Sequence, residues 1–474
     1  MEYLPGETHL MLISTQKPEI SRSELASAIG SLTDFFRDGE IDRLQPTGPA
    51  AVYTSSVTLW LLVLQRLASG STLNEVVKDF IAHRPEFCPD NRRLDEGTLS
   101  ESSGAYAGAR KRIDLAAIKY LYHRVLDSFA VKPAPFQRRP RQTFLLDGTT
   151  ITLAPNHELR NRYPPASNQH GETVWPIMLL LVAHDMQNGT AMLPEVGRMY
   201  GGKGDSEALL AARLLLRLPA ESIVMADAGF GIFRVAYQCI QQKHDFLFRL
   251  TTQRFNSLIK KAELVQERWK KRVWKLTWRP TAKDRKGCPG ICSDAVLNVT
   301  IHEVEIGDHG EKLYLVTSLS GDSESLAECY RSRYDVETDI KEIKVVLNTE
   351  NIRAQSEEMV LKELYTSLIA YNLLIQFRRQ AALRSRVEPR RLSFTEVLNT
   401  YNSFLKFDLS VRPAEECVER FEQALAMASR CKIPNRPGRR YKRAAHPRRP
   451  KTTKEQKAAR KKRKPNDEEI PPET

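Results

Sequence analysis

The stretch Tyr330-Arg-Ser-Arg-Tyr-Asp-Val-Glu337-Thr-Asp-Ile-Lys-Glu-Ile-Lys344 contains neither Pro nor Gly. Its apolar residues Cys329, Val336, Ile340, Ile343 and Leu347 recur at three- and four-residue steps, which predicts a helix entered from the loop around Gly321-Asp-Ser-Glu-Ser. At about 100° per residue, Tyr330, Arg333, Glu337 and Lys344 fall within roughly 60° of one another, about 90° round the cylinder from the apolar stripe. One edge of a half-buried helix then shows a carboxylate between cations. Such an edge suits a metal ion held against a phosphate, the carboxylate taking the metal and the Arg and Lys taking phosphate oxygens. The same spacing also suits a solvated face with an i,i+4 Arg/Glu pair.

The pattern Tyr-x2-Arg-x3-Glu-x6-Lys resembles the YREK signature of the family-four insertion-sequence DDE transposases. Fixed types at fixed spacings make it more specific than a lone carboxylate motif. The resemblance implies an RNase H-like fold in which Glu337 is the third member of an Asp, Asp, Glu triad. Two aspartates are then expected upstream, at strand ends.

Asp147 is the first candidate, within the β-branched and apolar run Thr143-Phe-Leu-Leu-Asp147-Gly-Thr-Thr-Ile-Thr-Leu. An ionised Asp inside a buried strand is costly unless paired or bound to metal, and Gly148 beside it suggests close approach by another group. An Asp-Gly turn joining two strands is the alternative; the resembled family shows this Asp-Gly-Thr on its first strand. Asp227 is the second candidate. It ends the apolar run Ser222-Ile-Val-Met-Ala-Asp227-Ala-Gly, the form of a buried parallel strand whose C-terminal end meets a loop, where ligands sit in open α/β sheets.

The chain divides, from its N-terminus, into a helical region over 1–135, a first core segment over 136–251, a mainly β insertion over 252–321 and a second core segment over 322–385. A C-terminal helical segment over 386–430 and a basic tail over 431–474 complete it. Capping boxes at Ser21-Arg-Ser-Glu24 and Thr72-Leu-Asn-Glu75, with a buried helix from Thr58 closed near Gly70, mark the first region. A helix from Ser102 or Ser103 carries Arg110, Lys111 and Arg112, and helix, Gly turn, basic helix resembles helix-turn-helix DNA readers. A Pro- and Arg-rich linker at Lys132-Pro-Ala-Pro follows. His157 to Thr173 reads as a polar loop; Trp175–His184 and Ala191–Val196 as strands joined at Gln187-Asn-Gly189; Glu207–Leu218 and Ile232–Gln242 as helices flanking the Asp227 strand, with Asp245 to Leu250 the next strand. Alternation over Val273–Trp278 and Ala295–Tyr314, with a turn at Gly307, makes the insertion β; its lysines and Arg272 with Trp269, Trp274 and Trp278 suit backbone tracking and base stacking, though strand packing explains the tryptophans equally. A long amphipathic helix from Glu358 to Leu383 is expected to cover the sheet. This order of elements, with the resemblance, implies an α/β fold class: an RNase H-like mixed-sheet core behind an all-α DNA-binding region.

Sixteen Lys or Arg and one acid, Glu455, lie between Lys432 and Lys464, so most of the chain's net +14 is in the tail. With almost no apolar residue the tail is expected to be disordered and to suit a polyanion, nucleic acid before membrane. Seven scattered cysteines suggest reduced thiols in a cytoplasmic compartment. Cys288-Pro-Gly-Ile-Cys292 lacks the second pair of a zinc site, and Val174–Ala183 is too short to span a bilayer.

Three carboxylates suit Mg²⁺, or Mn²⁺ in its place, in two-metal phosphoryl transfer. As in the resembled family, Asp147 is expected to bridge both ions, Asp227 to hold one and Glu337 the other. Tyr330, Arg333 and Lys344 would clamp phosphates near the cut, with Lys341 adding to them. The resemblance implies cut-and-paste transposition of an insertion sequence, with water and then a 3′-hydroxyl as nucleophile, a hairpin intermediate, and a homodimer on paired terminal inverted repeats of double-stranded DNA. The alternatives are a nuclease of the same fold without strand transfer and a repurposed DNA-binding protein that no longer cuts.

Overall fold

The computed structural model describes residues 21–434 except 69–70, 130–140, 170, 203, 289 and 307–309. The expected linker at 132–140, the turn at Gly307 and the tail beyond 434 lie outside the described residues.

Ten strands form one sheet: β1 (Thr143–Thr152), β2 (Pro165–Asn168), β3 (Gly171–Asp185), β4 (Glu195–Arg198), β5 (Ile223–Ala226), β6 (Asp245–Arg249), β7 (Glu263–Arg268), β8 (Lys271–Trp278), β9 (Leu297–Ile306) and β10 (Glu311–Thr317). Their order is β2-β3-β1-β5-β6-β10-β9-β8-β7, with β4 also on β3. β1, β5 and β6 are parallel; every other pairing is antiparallel. A helical region, Arg22 to Asp127, precedes this sheet, and helices flank it, giving an RNase H-like α/β architecture. The strands β7 to β10, from the segment read as an insertion, extend the sheet beyond β6.

Side chains on a strand alternate between faces. Leu145, Met225 and Leu247 enter one core, whereas Phe144, Leu146, Val224, Ala226, Phe246 and Phe248 enter another on the opposite face. Burial on both faces accounts for the unbroken apolar runs of the central strands. The second core is closed by the helices Glu207–Leu215 and Phe233–Gln241.

The first core is larger and is built on the helix Glu357–Ser385, which is buried continuously from Lys362 to Arg378. It does not simply cover the sheet as an amphipathic helix would. Helices Ser55–Leu67 and Leu115–Asp127 pack on it from the N-terminal region, and Phe394–Phe404 and Ala414–Ala428 from the C-terminal one. A helix enclosed on all sides is buried all round. Both capping boxes are formed, at Ser21 and Thr72.

Two local expectations are corrected. The stretch from His157 to Thr173 is not a plain loop, since Asn156 caps a helical turn His157–Arg162 and β2 follows. The partner of β3 begins at Glu195 rather than Ala191, because Ala191 makes only an isolated bridge to His184 and spends its backbone N–H and C=O on Asn372.

Candidate active site

Asp147 and Asp227 are brought together by strand register. Parallel pairing of β1 with β5 runs from Thr143 opposite Ile223 to Leu146 opposite Ala226; Asp147 is the next residue of β1, and Asp227 is the first residue past the end of β5. Alternation directs Asp147 to the face of the larger core, where Val336 and Ile343 of the Glu337 segment also pack. Asp147 Oδ1 accepts from its neighbour Gly148 N at 2.9 Å, and Asp227 Oδ1 from Gly229 N at 2.7 Å. Arg254 donates to the Ala228 carbonyl and so ties down the loop that carries Asp227.

Glu337 reaches the pair through Arg333. Arg333 Nη2 donates to Glu337 Oε1 at 2.6 Å, and its Nη1 lies 3.6 Å from Asp147 Oδ2. Arg333 is buried, while the Glu337 side chain keeps about half its surface exposed, 53%. Burial raises the Asp147 carboxyl above its ordinary range; the Gly148 N–H and Arg333 oppose this, and Asp227 and Glu337 add to it. Residues 138–373 match the transposase DDE domain family.

That match contains Asp147, Asp227 and Glu337 and supports assignment to the DDE transposases in general. No curated protein matches the chain.

Within the DDE domain, the Glu337 segment is not the single regular helix expected from its periodicity. An α-helix Ser323–Arg331 passes into a 3₁₀ turn Ser332–Tyr334, an α-helix Asp335–Lys341 and a π-helical stretch Glu342–Val346. The 3₁₀ turn overwinds the chain and the π stretch underwinds it, so a fixed 100° step does not apply across them. Tertiary bonds hold the four signature residues instead. Tyr330 is buried, which raises its phenol above the ordinary range. Lys344 Nζ reaches β1, donating to the Thr150 carbonyl at 3.0 Å and to Thr149 Oγ1 at 3.4 Å. Lys341 is exposed.

The other acids of the segment are committed elsewhere. Asp339, fully buried, takes two bonds from Arg390, at 2.6 and 2.8 Å. Arg390 also donates to the Met186 and Asp185 carbonyls, and so anchors the segment to the turn after β3. Glu342 faces Arg378 at 3.5 Å. Sequence periodicity pointed to none of these partners, because Arg378 and Arg390 lie far along the chain.

A fourth carboxylate, Glu207, also approaches the aspartates. Burial raises it above the ordinary carboxylate range, and Asp147 and Asp227 raise it further. The acidic first turn after Ser206 was legible in the sequence; its meeting with β1 was not.

Among the described residues, no three His, Cys, Asp or Glu side chains converge as they stand to hold a metal ion. The donor chemistry still fits a hard divalent cation, since Asp147, Asp227 and Glu337 offer carboxylate oxygens. Gly148 and Gly229 fit it too, each leaving out a Cβ that would press on an acidic side chain of this cluster.

The proposed DNA-reading residues are divided by the fold. On the helix Gly104–Arg112, Arg110 turns inward and bonds Glu363 Oε1 at 2.7 Å, with Arg66 on the other oxygen at 3.2 Å. Lys111 and Arg112 remain exposed. In the insertion, Trp274 and Trp278 pack edge-on against Phe255 and Phe233. Trp269 alone of the three projects into solvent, 84% exposed, with the Lys270 ammonium 4.6 Å from its ring. Among the described residues, no helix is long and apolar enough to cross a membrane.

Proposed function

We propose that this protein is a cut-and-paste DNA transposase of the YREK group, cleaving the terminal repeats of an insertion sequence and joining them to target DNA. The register that sets Asp147 beside Asp227, with Arg333 linking Asp147 to Glu337, carries this reading. It lies within the stretch that matches the transposase DDE domain.

Asp147, Asp227 and Glu337 are the residues that would hold Mg²⁺ or Mn²⁺. Divalent cations there would activate the attacking oxygen and stabilise the leaving one. Arg333 keeps Glu337 near Asp147 and, being a rigid fork of donors, suits phosphate oxygens when DNA is present. Lys344 holds its ammonium against β1 at Thr149 and Thr150, two to three residues along the strand from Asp147, where it can neutralise a backbone phosphate. Lys341, Lys111, Arg112 and the basic tail supply further charge for duplex DNA, and Trp269 offers a free face to an unpaired base. A homodimer on paired ends, a hairpin intermediate and a cytoplasmic setting belong to the same reading.

The test is incubation with Mg²⁺ and a labelled duplex carrying the element's terminal repeat, followed by a joining assay on plasmid. Nicking, hairpin formation and strand transfer support the proposal. Cleavage without joining would leave a nuclease, and specific binding without cleavage a DNA-binding protein.

A further inference from the structure

Glu207 is the first residue of the helix Glu207–Leu215, which Ser206 caps. An acid there is ordinary, because it complements the helix dipole. The dipole does not explain the glycine that faces it. A Cβ on Gly148, the residue after Asp147, would fall inside the Glu207 carboxyl group. A Cβ on Gly229, two residues after Asp227, would stand 3.0 Å from Asp227 Oδ1 and 3.9 Å from Glu207 Oε2. The glycine after Asp147 thus leaves out a side chain where Glu207 comes in, while Gly229 spares Asp227 itself and sets its loop in contact range of Glu207.

Alternation along β1 puts Asp147 on the face toward the Glu337 segment and Gly148 on the opposite face. Glu207 therefore arrives from behind the sheet, at Gly148. Its carboxylate is half-buried and has no hydrogen bond or ion pair among the described residues. A half-buried carboxylate close to two others is costly when all are ionised, and a cation among them relieves that cost.

We propose that Glu207 is a fourth carboxylate of the divalent-cation site, joining Asp147 and Asp227 from the face opposite Glu337, an inference that rests on the transposase reading above. Its role is to hold the cation rather than to touch DNA. Loss of such a partner lowers metal affinity on the order of 10- to 100-fold.

The experiment is calorimetric titration of Mn²⁺ into the full-length protein, with circular dichroism as the check on folding. Wild type, Glu207→Gln, Glu207→Asp, Gly148→Ala and Asp147→Asn are compared. Glu207→Gln is expected to weaken binding on the order of 10- to 100-fold, and Glu207→Asp to restore part of the loss. Gly148→Ala displaces the carboxyl without removing charge, so it should weaken binding as well. If Glu207→Gln binds as tightly as wild type while Asp147→Asn does not, the proposal is overturned and the transposase reading stands. If wild type binds no Mn²⁺, both fall. Should Glu207→Gln not fold, unchanged affinity in both Glu207→Asp and Gly148→Ala overturns the proposal.

Discussion

Arg333 donates to Glu337 at 2.6 Å across one turn, from a position only 8% exposed. The same guanidinium lies 3.6 Å from Asp147, so one buried cation holds two acids that come from a strand and a helical segment nearly two hundred residues apart. A cation held by these carboxylates would compete with Arg333 and leave the guanidinium available to a phosphate. The consequences can be measured.

Glu337→Gln keeps size and helix propensity but removes the charge. Cleavage of a labelled end should fall by several orders of magnitude at any Mg²⁺ concentration, while end binding persists. Asp147→Asn and Asp227→Asn should share this phenotype, and pairs of them should add little, since groups acting as one site are non-additive. Near wild-type cutting by Glu337→Gln would show that Glu337 is not a ligand. Asp339 and Glu342 would be poor substitutes, being bound to Arg390 and Arg378.

Lys344→Ala removes a cation beside β1 and leaves the carboxylates in place. The rate should drop less than for Glu337→Gln and recover in part at higher DNA concentration or lower salt. Titration of cleavage rate against DNA separates the two cases: a loss that saturating DNA does not relieve at all would mean that Lys344 acts on the chemical step and not on DNA binding.

Arg110 and its neighbours should separate by assay. Arg110→Ala leaves Glu363 with Arg66 as its remaining buried partner and should cost about 3 kcal/mol of stability in urea unfolding. Lys111→Ala and Arg112→Ala should cost no more than about 0.5 kcal/mol. They should instead reduce discrimination between terminal-repeat and random DNA in competition binding. Undiminished discrimination in the Lys111, Arg112 double variant would place end recognition elsewhere.

Glu342 supplies a pH dependence. Burial, only partly offset by Arg378 and Arg390 and reinforced by Asp339 and Asp335, pushes its carboxyl up to about 7 from an ordinary 4.5. A group raised in the folded state contributes stability that is full below about 4.5 and lost as pH rises through about 7. The loss is on the order of 3 kcal/mol across that window. Urea unfolding from pH 4.5 to 8 should show a flatter profile for Glu342→Gln than for wild type; equal slopes would contradict it.

Deleting residues 432–474 removes the sixteen cations of the tail. Non-specific DNA binding should weaken and its salt dependence flatten, by about 0.9 in log–log slope for each phosphate that the tail neutralises. Cleavage at saturating specific DNA should survive. An unchanged slope would mean that the tail does not touch DNA.

Much of this was legible in the chain itself. Alternation and apolar runs placed β1, β5 and β6 and set Asp147 on a strand and Asp227 at the end of one, because backbone period and burial are local properties. Capping boxes at Ser21 and Thr72 marked helix starts for the same reason. The spacing of Tyr330, Arg333, Glu337 and Lys344 marked the segment that carries the third acid. Tertiary structure alone decided which groups meet. The parallel register of β1 and β5 set the two aspartates side by side, and Arg333 reached Asp147 across the gap between sheet and helix. The segment's 3₁₀ and π turns, the inward turn of Arg110 onto Glu363 and the approach of Glu207 to Gly148 arise the same way. Each depends on a partner far away in the chain, where desolvation and charge pairing act through space and leave no period in the sequence.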